Sequence, residues 1–307
     1  MGCLIKGKTL TICLTGATGW LGKSLIETSL GAQEPHKLVA FGRSQSEITT
    51  DAGITVKNHK FDLKDIMRQE FDVFAPFAFA TRDKALKMNN DDYIMLNKSL
   101  IADAVSVIRT GRVGSVLNIS SGVLTQASES QLNDDSYSIY ANLKRSQEEA
   151  FTEACESIGI PLINCRVFSL SGQEMREPLK YAIGNLVNQA VTSGSICLSS
   201  KGLVVRRYMD SRDLMTLLLE YVKRGVSISI ESSGQRIELS ELARLILDHF
   251  NLSTKSIIYR NTNDSLSNEY ISSRNDFENF SAEMNYSLAQ LPQQIDNVTE
   301  SIAKLRI

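Results

Sequence analysis

The sequence predicts an α/β protein in which a doubly wound parallel sheet carries a small C-terminal lobe. Three observations predict it. The first half of the chain alternates short β-branched apolar runs with longer amphipathic segments, a cluster of glycines directly follows the first apolar run, and the rhythm changes after Phe168. With 307 residues, 42% of them hydrophobic and 22% charged, the chain can bury a large core as one big domain or two unequal ones. That composition excludes a disordered or collagen-like chain.

The apolar runs at 9–14, 38–41, 54–61, 73–79, 116–119 and 162–168 have strand length and strand composition. Between several of them, segments 21–30, 90–108 and 139–157 repeat apolar residues at three- and four-residue intervals, the period of a helix with one buried face. Strand-helix alternation requires crossover connections, and these make a parallel sheet covered on both faces. A ligand site then belongs at the carboxyl ends of the strands. Beyond Phe168 the stretch 169–178 is polar, a helical pattern runs over 179–191, and apolar runs at 203–205 and 226–230 each precede a helical pattern, at 213–222 and 239–250. Residues 1–169 are therefore assigned to the main sheet domain, with strands near 203–231 returning to it, and 170–307 mainly to the small lobe.

Thirty-three basic against 35 acidic side chains give a formal charge of -2, which lacks the electrostatic footprint of a nucleic-acid or anionic-membrane binder. No apolar run approaches the roughly 20 residues that span a bilayer. Lys6 and Lys8 interrupt the N-terminal stretch, and Lys6 stands where a myristoylation signal wants Ser or Thr. The expectation is a cytoplasmic protein with a small-molecule partner and no membrane association. Five widely spaced cysteines suit reduced thiols. The three histidines, His36, His59 and His249, fit neither a metal site nor a Ser-His-Asp hydrolase.

The first apolar run leads straight into Thr15-Gly16-Ala17-Thr18-Gly19-Trp20-Leu21-Gly22, and a helical pattern follows. Gly16 permits a tight turn, Gly19 lets backbone approach a pyrophosphate, and Gly22 allows close helix-strand packing at a helix N-terminus. This is the cradle of a dinucleotide. At the end of the second run an acid would bond the adenosine ribose of NAD, but the chain reads Phe41-Gly42-Arg43-Ser44. A guanidinium beside a hydroxyl suits the 2′-phosphate of NADP; Glu47 nearby keeps NAD as the alternative.

Tyr140 and Lys144 are four apart in a helical pattern and share one face. A close ammonium would pull the phenol down toward the working pH, so that Tyr140 could move the proton that accompanies hydride transfer. Ser121, in Asn118-Ile119-Ser120-Ser121-Gly122, offers a hydroxyl at a strand end to orient a substrate oxygen. Ser121 is preferred to Ser120 because strand alternation sends the two to different faces.

With these residues in hand, the chain resembles the extended short-chain dehydrogenases/reductases of the NAD-dependent epimerase/dehydratase family, over nearly its whole length. The resemblance implies a Rossmann-type sheet with a substrate-binding C-terminal lobe. It also implies a homodimer formed through segments 90–108 and 139–157, and a nucleotide-sugar substrate. It makes Ser121, Tyr140 and Lys144 the catalytic set, and it puts Asp62, Leu63, Ala78 and Asn97 beside the cofactor together with Gly16, Thr18, Gly19, Trp20, Leu21, Gly22, Arg43 and Ser44. Arg166-Val167-Phe168 matches the family's sixth-strand Arg motif, and Asn185 and Arg206 match its diphosphate-binding residues. The chain departs from the family at Pro76, where a His is usual, and at Ser169 and Ser171, where Asn and Tyr are usual. Gly122 and Val123 stand where the family's dehydratases carry an acidic pair.

Three readings follow. One is reduction of a 4-keto nucleotide sugar with NADPH, favoured by Arg43 and Ser44. Another is a nucleotide-sugar 4-epimerase that retains NAD. The third is a non-catalytic NADP-binding regulator on the same fold, against which the complete Ser-Tyr-Lys set argues.

Overall fold

A computed structural model describes residues 8–126, 134–199, 202–260 and 268–305. Its strands, in chain order, are β1 Thr11–Thr15, β2 Lys37–Gly42, β3 Ser46–Thr49, β4 Thr55–Lys60, β5 Val73–Pro76, β6 Val116–Ser121, β7 Leu162–Val167, β8 Ser169–Ser171, β9 Ile196–Leu198, β10 Val204–Asp210, β11 Ile228–Glu231, β12 Gln235–Glu238, β13 Ile257–Tyr259 and β14 Asn268–Tyr270. The chain divides into two compact units, one of Met1–Val167 with Met215–Glu231, the other of Phe168–Leu214 with Ser232–Ile307.

The first unit holds an eight-stranded sheet in the order β11-β7-β6-β5-β1-β2-β4-β3. Every pairing in it is parallel except that of β3 with β4. Its central strands are buried along their length, as in β5 and β6, because helices cover both faces. Helices Asn90–Arg109 and Asp135–Ile158 pack on one face through Ile101, Val107, Ile108, Phe151 and Cys155, against Phe74 and Val116 of the sheet. The second of these helices starts earlier than the apolar period at 139 suggests. Asp134 caps it, its Oδ1 accepting from the backbone N–H of Ser136 and Tyr137. Outward, the pair presents Lys98, Ser99, Ala102, Asp103, Arg145, Ser146, Glu149 and Thr152. Met95 is the one large hydrophobic exposed on these two helices, so any pairing of chains through them would be polar.

The second unit carries β12, β10 and β14 in one sheet, with β8 also paired to β10, and the short pair β13-β9. Helices Ala182–Ser193, Leu239–His249 and Leu291–Ala303 supply its core with Ile183, Leu186, Val187, Leu242, Ile246, Ile295 and Val298.

Three expectations need correction. The strand near Val204 does not return to the main sheet; only β11 does. In β10 the half-buried Arg206 and Arg207 break the apolar run that a strand covered on both faces needs. The fifth strand ends at Pro76, not at 79: Pro76 has no N–H, and Phe77 turns back, donating to the carbonyls of Thr15 and Ala75. Finally, β3 was not anticipated, since Ser46–Thr49 contains a single apolar residue, Ile48. Among the described residues no helix is long and apolar enough to cross a membrane, and no cluster of three or more His, Cys, Asp or Glu could hold a metal ion.

Candidate active site

β1 lies between β2 and β5, so the sheet order reverses there, and Thr15 ends opposite both Phe41 and Pro76. A doubly wound sheet opens its ligand crevice at this point. Gly16 leaves β1 with φ +75, and a Cβ on it would stand 2.6 Å from the backbone N of Ala78. Gly19 donates its N–H to the Gly16 carbonyl at 2.9 Å and becomes the N-cap of helix Trp20–Gly31, with no side chain capping that end. A Cβ on Gly22 would meet the Gly16 carbonyl oxygen at 2.3 Å. The turn is thus built of backbone, and the helix end carries positive dipole unshielded by a capping side chain. Such a cradle fits the pyrophosphate of a dinucleotide. Thr18 is exposed at its rim, while Trp20 and Leu21 are half-buried.

Along the same edge, Arg43 and Ser44 are exposed just past β2. Sequence reasoning missed what holds them. Asn58, buried in β4, donates through Nδ2 to the Ser44 carbonyl at 3.1 Å and to Ser46 Oγ at 3.0 Å. The same Nδ2 lies 2.6 Å from where a Cβ on Gly42 would be, which is why β2 ends in glycine. Glu47 is drawn into β3 opposite Lys57. Asp62, exposed after β4, caps a short helix by accepting from Lys64 N at 2.8 Å, and Leu63 packs into the core below.

At the end of β6, the Ser121 hydroxyl accepts from Val123 N at 3.4 Å and lies on the Tyr140 side, whereas Ser120 Oγ is buried toward Glu148 with no hydrogen-bond partner among the described residues. The two hydroxyls thus have different neighbours. Burial pushes the Tyr140 phenol above its ordinary value, and the Ser121 hydroxyl only partly opposes it. This reverses the depression anticipated from Lys144. That side chain is buried and turned to other partners: Nζ donates to the Ile119 carbonyl and to Gln147 Oε1, both at 2.9 Å. It also stands 3.9 Å from the centre of the Phe79 ring. Burial lowers Lys144 to about 7, with the Glu148 carboxylate opposing. Gln147 was readable as a neighbour, three residues on along the same helix; Phe79 was not. Glu148 is in turn fixed by Arg166, which donates to both its oxygens at 2.9 and 2.7 Å.

The lowered Lys144 carries a stability signature. Between about pH 7 and the ordinary lysine value the unfolded chain binds the proton that the folded one has lost, so folding is favoured progressively as pH rises. Lys144→Met removes this contribution. In urea unfolding, wild type should gain on the variant by up to about 1.4 kcal/mol for each pH unit across that window, and parallel profiles would refute the assignment.

Two residues assigned to the cofactor also brace the framework. Asn97 is fully buried; its Oδ1 accepts from Ala80 N at 2.8 Å and its Nδ2 donates to Ala80 O at 3.2 Å and to Tyr93 O at 3.3 Å. It holds the chain after β5 in place. Ala78 lines the cradle through its backbone, donating to Thr15 Oγ1 at 3.4 Å.

In the second unit, Asn185 lines a cavity of about 480 Å³ with Lys180, Tyr181, Gln189, Cys197 and Arg260. Arg206 is not among its walls. Its guanidinium donates to the carbonyls of Val205 and Asn268 at 2.8 and 3.0 Å.

A doubly wound sheet with a glycine cradle at its switch point defines a dinucleotide-binding protein. Residues 12–230 match the NAD dependent epimerase/dehydratase family, and the chain belongs to that family. Among solved structures, it is similar to a UDP-N-acetylglucosamine 4-epimerase from Methanobrevibacter ruminantium in complex with UDP-N-acetylmuramic acid. The TM-score is 0.77 at 15% identity, over 97% of this chain and 100% of that one. A UDP-glucuronic acid 4-epimerase from Bacillus cereus, in complex with UDP-glucuronic acid and NAD, aligns with TM-score 0.73 at 16% identity, over 96% and 99%. A dTDP-glucose 4,6-dehydratase from Streptomyces venezuelae, a double mutant with NAD bound, gives 0.68 at 16% identity, over 96% of each chain. A search of curated proteins found no match.

Proposed function

We propose that the chain reduces a 4-keto nucleotide sugar with NADPH. The observation that carries this reading is the reaction centre itself: Ser121 beside Tyr140, Lys144 one turn along the same helix, and the buried Gly122 and Val123 directly after Ser121. Dehydration needs one group to protonate a leaving hydroxyl and another to take a carbon-bound proton, and neither Gly122 nor Val123 can do so. Interconversion of ketone and alcohol needs a single proton donor. Bound in the cradle, NADPH supplies the hydride. Tyr140 gives the keto oxygen its proton, Ser121 orients that oxygen, and Lys144 holds the nicotinamide ribose and offsets the charge left on Tyr140.

The substrate class rests on the second unit, where Asn185, Lys180 and Arg260 line a cavity suited to a nucleoside diphosphate. Asn185 is read as its diphosphate contact, whereas Arg206, which lies outside these walls, is a diphosphate contact on the resemblance alone. The ligands of the similar epimerase structures are also nucleotide sugars. The same reaction centre would serve a 4-epimerase that retains NAD, and this second reading is favoured by the NAD in two of the similar structures.

Denaturing the purified protein and identifying the released nucleotide by mass spectrometry separates the two. Stoichiometric NAD would overturn the NADPH reading in favour of the epimerase. NADP, or an empty site that takes up NADPH before NADH, supports the reductase and directs screening to 4-keto sugar nucleotides. Arg43→Ala should then weaken NADPH binding by roughly ten- to hundredfold, the worth of a charge-assisted phosphate hydrogen bond. NADH affinity should be nearly unchanged in parallel titrations. Equal losses for both would remove Arg43 from the 2′-phosphate.

A further inference from the structure

Phe79 neighbours both of the residues on which the reaction depends. Its ring centre is 3.9 Å from Lys144 Nζ and 6.0 Å from the Tyr140 ring, which it meets edge-on at 81°. An ammonium has three donors. Two of those on Lys144 are spent on the Ile119 carbonyl and Gln147 Oε1, and the aromatic face covers the nitrogen besides. At rest, Lys144 therefore has no donor ready for a ribose hydroxyl or for Tyr140. The depressed proton affinity of Lys144 agrees with an amine shut away from water.

The backbone carrying Phe79 is fixed on both sides. Ala78 is tied to Thr15 and packs against Gly16, and Ala80 is bound in both directions by the Asn97 amide. The Phe79 side chain, by contrast, is only partly buried. The ring packs against the cluster of Ala80, Tyr93 and Leu143, so any displacement of it is a turn about its own χ angles while the segment beneath stays in place.

We propose that Phe79 is a side-chain gate on the reaction centre: its ring covers Lys144 at rest and must swing aside before the nicotinamide ribose of a bound dinucleotide can take its place. This rests on the dinucleotide reading above. It adds a residue that neither moves a proton nor contacts substrate, yet decides when Lys144 becomes available. Entry of the adenosine half, by comparison, leaves the ring where it is.

The test uses the full chain and the fluorescence of Trp20, the single tryptophan, which opens the cradle helix. ADP probes the cradle alone, and NADP probes cradle and reaction centre together. Phe79→Ala should tighten NADP by roughly five- to thirtyfold, the worth of a desolvated cation-π contact, while ADP affinity stays within about twofold. Lys144 should also react faster with acetic anhydride in the variant, read by peptide mass spectrometry. Unchanged or weaker NADP binding with ADP binding intact would overturn the gate. Should Phe79→Ala lose ADP binding as well, Phe79→Leu decides, since it keeps bulk but removes the π face: a smaller tightening of NADP supports the gate, and no tightening overturns it. Wild type that binds neither ADP nor NADP would instead overturn the dinucleotide reading and the gate with it.

Discussion

Tyr140→Phe should cut turnover of a 4-keto nucleotide sugar by on the order of 10²–10⁴-fold, the range for a lost general acid, and leave dinucleotide affinity within a few fold. The loss follows from the composition of the centre. Ser121 lies beside Tyr140 and is too weak an acid to replace it, and Lys144, bonded to Ile119 and Gln147, is assigned to the nicotinamide ribose once uncovered, so no second group stands ready to protonate the substrate oxygen. Phenylalanine fills the same volume and keeps the edge-on contact with Phe79. The fold should hold, and circular dichroism with Trp20 fluorescence titrations can verify it. Full activity in this variant would take Tyr140 out of the chemistry.

The second large effect belongs to Gly22→Ala. The added methyl would stand 2.3 Å from the Gly16 carbonyl oxygen and 2.8 Å from Ala17 Cα. Both are backbone atoms, so no rotamer change relieves the clash. Either the helix end retreats or the turn opens, and overpacking of this kind costs about 1–3 kcal/mol. Dinucleotide binding should fall further, by roughly hundredfold, as the loss of one or two charge-assisted hydrogen bonds to phosphate implies. Gly31→Ala is the control, because a Cβ there meets nothing within 4 Å. Equal affinities for the two variants would mean that the cradle is not where the phosphates bind.

What could be read in the sequence was what short stretches of chain encode. The strands β1, β2, β5, β6 and β7 announce themselves as apolar runs, β4 lies within the run 54–61, and the glycine turn, Ser121 and the Tyr140-Lys144 spacing are local patterns that strand and helix periods convert into geometry. The misplacement of β10 has the opposite cause. Its partners Ser169, Gln235 and Asn268 come from three separate segments, and nothing in Val204–Asp210 itself names them. Likewise Lys144 looked like a partner for Tyr140, four residues away, but its donors reach a carbonyl 25 residues back in the chain. Asn97, matched by resemblance to a cofactor residue, is claimed by a backbone 17 residues away. Side chains with several donors go to whichever acceptors the tertiary fold brings near, and sequence spacing does not report those.

The tether from Asn58 to Ser44 and Ser46 bears on the sequence of events when a ligand arrives. It spares the Arg43–Ser44 corner the ordering entropy that a loose loop would lose on binding. The opposite end of the site is obstructed by an aromatic ring held over a lysine. With the gate proposed above, one end is ready and the other must rearrange; a dinucleotide would then engage adenosine-first, with the slow part of its docking confined to the half that carries the chemistry.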